Sequence, residues 1–110
     1  MNGIVNIYSS SAGVEDRSVE NLPLEFSLKT PYPNPFNSEA VIEFGVPMKR
    51  NVRISVTDIL GREVAVLADA PYNPGYYSVE WNAVHCASGI YLVRMTAGEE
   101  SFTQKICLVK

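Results

Sequence analysis

The chain has 110 residues, 46% hydrophobic and 19% charged, which is the balance of an ordinary globular domain, alone or with a tail. A net charge of −3 without a basic block argues against a nucleic-acid or anionic-membrane surface. No stretch approaches the roughly 20 apolar residues that span a bilayer as a helix.

The first residues, MNGIVNIYSSSAG, lack a basic segment and carry too short an apolar run for a secretory signal. The reading is therefore a cytoplasmic chain or a piece of a longer exported one, and the piece is the expectation. Gly3 to Tyr8 reads as a short strand without a local partner, left from a preceding domain or added to an edge of this one. Ser9 to Asn21 is polar, Ser-rich and non-periodic, a linker. Residues 1–21 are thus expected to be linker or the tail of a preceding domain, and residues 22–110 one folded domain.

From Leu22 the pattern becomes regular. Phe26 and Leu28 alternate with Ser27 and Lys29. Tyr32-Pro33-Asn34-Pro35-Phe36-Asn37 follows, and it is neither helix interior nor central strand. Both prolines lack a donor and push Tyr32 and Asn34 towards extended geometry, so the run is a stiff lead-in whose rings pack against a sheet. Ala40 to Val46 alternates with Ile42, Phe44 and Val46 on one face, and Pro47 closes it. Val52 to Thr57 is the cleanest strand, with 52, 54 and 56 apolar and 53, 55 and 57 polar. Asp58 to Gly61 turns the chain, Asp58 accepting from N–H groups further on and Gly61 taking a positive φ. Glu63 to Leu67 returns as the partner strand.

Pro71 to Gly75 reads as a turn. Tyr77, Val79 and Trp81 then alternate with Tyr76, Ser78 and Glu80. After a loop from Asn82 to Gly89, Ile90 to Thr96 is apolar on both faces, as in a central strand. Ala97 to Glu100 makes a hairpin into a last strand, Ser101 to Val109. With no helical period of useful length, the pattern predicts an all-β fold, an antiparallel sandwich of about six or seven strands. Its expected core is Ile42, Phe44, Val52, Ile54, Val56, Val79, Trp81, Tyr91 and Val93.

Chemistry is sparse. His85 is the only histidine and adjoins Cys86, but adjacent loop side chains diverge and no residue is placed to orient the ring. The carboxylates are scattered without calcium-loop spacing, and no Cys/His array is present, so no cofactor, metal or catalytic residue is expected. Tyr72 and Tyr76 are candidates for an exposed sugar-binding platform, with Trp81 assigned to the core. Cys86 and Cys107 either pair or stay free, Cys86 then acting as a small buried hydrophobe.

The strands and turns carry landmarks that resemble one family, the type A C-terminal sorting domain of type IX (Por) secretion cargo. They are YPNPFN (Tyr32 to Asn37), IEFGVP (Ile42 to Pro47), VTDILGREVAVL (Val56 to Leu67), PGYYSVEWN (Pro74 to Asn82), SGIYLVRMTAG (Ser88 to Gly98) and KICLVK (Lys105 to Lys110). The resemblance covers about Phe26 to Lys110 and reaches the last residue. Ser38-Glu39 stands where the family usually has Pro then Ser or Thr, Thr57 where it has Tyr, Asn82 where it has Asp, and Cys86 where it has Leu. The Ig-like domain of flagellar hook-capping proteins is also similar.

The resemblance implies an Ig-like, non-catalytic address label. Cargo attached to its N-terminal side would cross the periplasm, be carried through an outer-membrane translocon to the cell surface or beyond, and be processed by a surface sortase. The landmark residues it singles out are Tyr32, Pro33, Asn34, Pro35, Phe36, Asn37, Asp58, Gly61, Arg62, Trp81, Gly89 and Tyr91. The C-terminal strand, Lys105, Ile106, Cys107, Leu108, Val109 and Lys110, is the expected recognition element: an exposed edge pairing with a receptor sheet, or an edge merely guarded by its lysines. The alternative reading is a carbohydrate-binding or structural Ig-like accessory module of a secreted enzyme.

Overall fold

The computed structural model describes residues 22–110. The predicted strand at Gly3 to Tyr8 and the linker after it lie outside the described residues. Within them the chain forms seven strands and no helix: β1 (Ser27–Leu28), β2 (Glu39–Val46), β3 (Arg50–Asp58), β4 (Glu63–Tyr72), β5 (Gly75–Asn82), β6 (Gly89–Ala97) and β7 (Glu100–Leu108). They pair antiparallel into two sheets, one ordered β1-β2-β5 and the other β4-β3-β6-β7. This is an Ig-like β-sandwich.

Period-two alternation decides which face each strand buries. Ala40, Ile42, Phe44 and Val46 from β2 meet Val52, Ile54 and Val56 from β3 and Tyr91, Val93 and Met95 from β6, all buried. Trp81 is 3% exposed and belongs to this core. Val79, predicted as core, is only half-buried: it sits on the outermost strand of the three-stranded sheet, where one flank has no neighbouring strand among the described residues. β6 lies between β3 and β7, which explains why both of its faces are largely apolar.

The turns follow their residues. Gly98 at φ +61 opens the two-residue link from β6 to β7, a conformation that a side chain disfavours. At the other hairpin Gly61 takes φ +87.

Two predicted boundaries move. The strand expected to end at Leu67 runs on to Tyr72, through Pro71, so the turn shrinks to Asn73 and Pro74. Pro71 is tolerated because β4 is an edge strand, where a missing N–H costs no ladder bond. The first strand is only Ser27–Leu28. Pairing continues through the Lys29 N–H to the Glu43 carbonyl at 2.9 Å, lapses at Thr30 and Pro31, and resumes as a bridge between Tyr32 and Val41.

Candidate functional site

The run Tyr32 to Asn37 is a strap between the two sheets. It starts beside β2, where Tyr32 and Val41 exchange backbone hydrogen bonds of 3.0 and 2.7 Å, and the Tyr32 hydroxyl donates to Glu43 Oε2 at 2.8 Å. It ends on β7. The Phe36 N–H donates to the Cys107 carbonyl at 2.9 Å and the Val109 N–H to the Phe36 carbonyl at 2.8 Å, a parallel bridge.

Between these contacts Asn34 supplies with its side chain what a strand would supply with its backbone. Its Oδ1 accepts from the Cys107 N–H at 3.0 Å, and its Nδ2 donates to the Lys105 carbonyl at 3.4 Å. Pro33 and Pro35, both preceded by cis peptide bonds, offer no donor to a further strand. Phe36, 2% exposed, anchors the strap with its ring 5.1 Å from Trp81, and Trp81 lies 5.1 Å edge-on to Tyr91. Tyr91 donates its hydroxyl to the Ala87 carbonyl at 2.6 Å, closing the loop before β6 in the manner of the tyrosine corner of Ig-type sandwiches.

The six C-terminal residues divide by face. Ile106 and Leu108 are fully buried and hold the fold; Lys105 is exposed, Cys107 half-buried and Val109 about half exposed. Lys110 is tied to the neighbouring loop, its Nζ donating to the Val84 carbonyl at 2.6 Å and its N–H to Ser88 Oγ at 3.0 Å. The expectation of an exposed edge along this strand needs correction. From the Lys105 carbonyl to the Val109 N–H the outward groups are already bonded to the strap. One residue further in, Gln104 Nε2 donates to the Leu28 carbonyl at 2.9 Å. Among the described residues, the outward backbone of β7 stays open over its first half, at Ser101, Thr103 and the Lys105 N–H.

At the β3–β4 hairpin Asp58 caps the turn as its position predicts. Its Oδ1 accepts from the N–H groups of Leu60 at 2.9 Å and Arg62 at 3.0 Å, and its Oδ2 takes Arg62 Nε at 2.8 Å. The Arg62 N–H foremost, with help from its guanidinium and the Leu60 N–H, holds the Asp58 carboxyl below the usual range. Arg53 does the same for Glu63 through a two-pronged contact of 2.9 and 3.1 Å.

The other sequence candidates are not gathered into a site. His85 is exposed, and Cys86, expected to be buried, is half-buried against the core because its loop lies at the rim of the sandwich. Both cysteines are free. Tyr72, expected to be exposed, packs edge-on to Phe44 at 5.2 Å and Tyr77 at 4.8 Å, because β4 runs on through it; only Tyr76 of that pair stays outside, 60% exposed. Among the described residues no group of three or more His, Cys, Asp or Glu side chains is placed to hold a metal ion.

The family model of the secretion system C-terminal sorting domain matches residues 30–110. The chain belongs to that family. No curated protein matches it. The match runs from just before the strap through β7, so β1 precedes it, and it makes the chain a C-terminal sorting signal of type IX secretion, exported towards the surface or the medium. The landmarks of the sorting domain have physical roles in this fold. Asn34 and Phe36 close the β7 edge, Trp81 and Tyr91 pack behind them, and Asp58, Gly61 and Arg62 build the hairpin. Gly89 begins β6. What the sequence did not reveal is that Asn34 and Gln104 act as edge caps. An asparagine between two prolines, unable to join a ladder through its own flanks, was the available signal.

Proposed function

We propose that this sorting domain is a non-catalytic signal that carries an N-terminally attached cargo through the periplasm and across the outer membrane, where a sortase separates the two. The domain is residues 22–110, and residues 1–21 are the linker or the remnant of the preceding domain. The observation that carries the reading is the family match over residues 30–110. The fold supports it, since the aromatic and polar landmarks are spent on holding the sandwich rather than on forming a reactive constellation. The accessory sugar-binding reading loses its support with Trp81 buried and Tyr72 packed inside.

Recognition at the C-terminal strand then falls to side chains. Lys105, Cys107, Val109 and Lys110 are its outward set, while Ile106 and Leu108 keep it in place. The test is a reporter with a signal peptide, fused ahead of the whole chain, in cells that have type IX machinery. Surface or medium delivery is expected, with periplasmic trapping when Lys105 to Lys110 are deleted. That deletion also removes two buried side chains worth roughly 1.5–3 kcal/mol each, so the Lys105→Ala/Lys110→Ala double variant separates recognition from folding. A folded double variant that stays in the periplasm assigns recognition to the lysines, and one that is exported normally confines them to guarding the edge. Delivery of the deleted fusion at the intact rate would overturn the sorting reading for this terminus.

A further inference from the structure

The sandwich has two long seams where the edge of one sheet meets the edge of the other. The β1/β7 seam is closed by the strap and by Gln104. At the other seam, β4 carries Pro71 and two register breaks opposite Ile54/Ser55 and Val56/Thr57, features that spoil an edge for pairing. β5 has neither.

The hydrogen-bond phase shows which groups of β5 are open. The Val41 backbone bonds to Tyr32, on the side of β2 away from β5, and the Glu43 carbonyl likewise accepts from Lys29. Their register partners Glu80 and Ser78, with Tyr76 opposite Gly45, are therefore the non-bonded positions of the antiparallel ladder and direct N–H and C=O outward. Among the described residues no hydrogen bond reaches these groups. The side chains of Tyr76, Ser78 and Glu80 are exposed, so nothing within the described residues covers the row. Tyr76 also stands between two shallow hollows on the outer face of the sheet. One of about 270 Å³ is lined by Lys29, Glu43 and Ser78, and one of about 360 Å³ by Lys29, Pro23 and Leu24.

Resting on the sorting reading, we propose that the β5 edge at Tyr76, Ser78 and Glu80 is where the secretion machinery adds an extended strand of its own. The evenly spaced main-chain donors and acceptors fit an extended peptide, and the second half of the β7 edge, from the Lys105 carbonyl to the Val109 N–H, is occupied by the strap. The hollow beside Tyr76 receives one of the incoming strand's alternate side chains, ending in an acceptor for Lys29, which supplies the selectivity that main-chain bonds lack.

The test is the reporter fusion of the whole chain with Ser78→Pro, which removes one outward N–H and bars a close neighbour. Expected is a melting temperature near wild type with surface delivery lowered about tenfold or more. Wild-type delivery by folded Ser78→Pro overturns the edge proposal while leaving the sorting reading intact; failure of the unaltered fusion to leave the periplasm overturns the sorting reading itself. Should Ser78→Pro unfold, Glu80→Pro decides in the same way, and loss of the fold in both overturns the proposal by showing those N–H groups to be engaged. Amide exchange on the unaltered whole chain is the independent check, with fast exchange at Ser78 and Glu80 expected. Slow exchange, or a dimer that Ser78→Pro abolishes, would give the edge to the chain's own first residues or to a second copy and overturn the proposal.

Discussion

The two seams of the sandwich solve the same problem in opposite ways. Along β1/β7 a proline-rich strap lays an asparagine amide and one backbone bridge against the strand edge, so the outward groups from the Lys105 carbonyl to the Val109 N–H are already bonded. Along β4/β5 one strand is spoiled by Pro71 and bulges, and the other keeps its outward donors and acceptors open among the described residues. An open β-edge invites pairing with any available strand, so soluble proteins ordinarily blunt it. Among the described residues one seam is closed by dedicated side chains and the other is not, and the proposed approach of a partner strand rests on that difference.

The sharpest way to break this contrast is to remove the closed seam's anchor. Trp81→Ala takes away the ring behind Phe36 and Tyr91 and is expected to cost about 3–5 kcal/mol, enough to unfold so small a domain, as a thermal melt will show. Asn34→Ala leaves Phe36 seated but frees the Cys107 N–H and the Lys105 carbonyl. It should lower stability by about 1 kcal/mol and speed amide exchange at Cys107, while Ser78 exchanges fast in both proteins.

A milder probe is acid. The Asp58 and Glu63 carboxyls titrate below their ordinary values in the folded chain, so they bind protons less readily there than when unfolded. Their contribution is present above the unfolded pKa and is lost as pH falls through the lower folded one. Asp58→Asn should therefore lower the melting temperature at neutral pH, where that contribution is present, and flatten its fall below about pH 4, where it is lost. At the open seam, Ser78→Pro removes an N–H that no described residue accepts and should leave the melting temperature near wild type, as a thermal melt will show.

Most of the architecture was legible because strand alternation is local. Residues 52, 54 and 56 against 53, 55 and 57 announce β3 without reference to anything else, and Asp58 with Gly61 announces its hairpin. Where the reading missed, the deciding information was distant. Pro71 reads as a breaker unless β4 is known to be an edge, and Val79 reads as core unless β5 is known to be outermost among the described strands. The run Tyr32 to Asn37 was visible as stiff and aromatic, yet its role as a strap was not, because Asn34 meets its partner 73 positions downstream. An exposed last strand was the natural expectation for the same reason.

That separation has a consequence for how the domain comes into being. A chain threaded from its N-terminus presents Phe36 long before Cys107 and Val109 exist to bond its backbone, so the strap stays undocked until β7 has been made. Closing contacts of such span is slow, because the connecting loop has to be ordered first. A copy cut short ahead of Cys107 keeps the strap but loses the backbone bonds that dock it. The fold thus certifies, by its own completion, that β7 is present and in place.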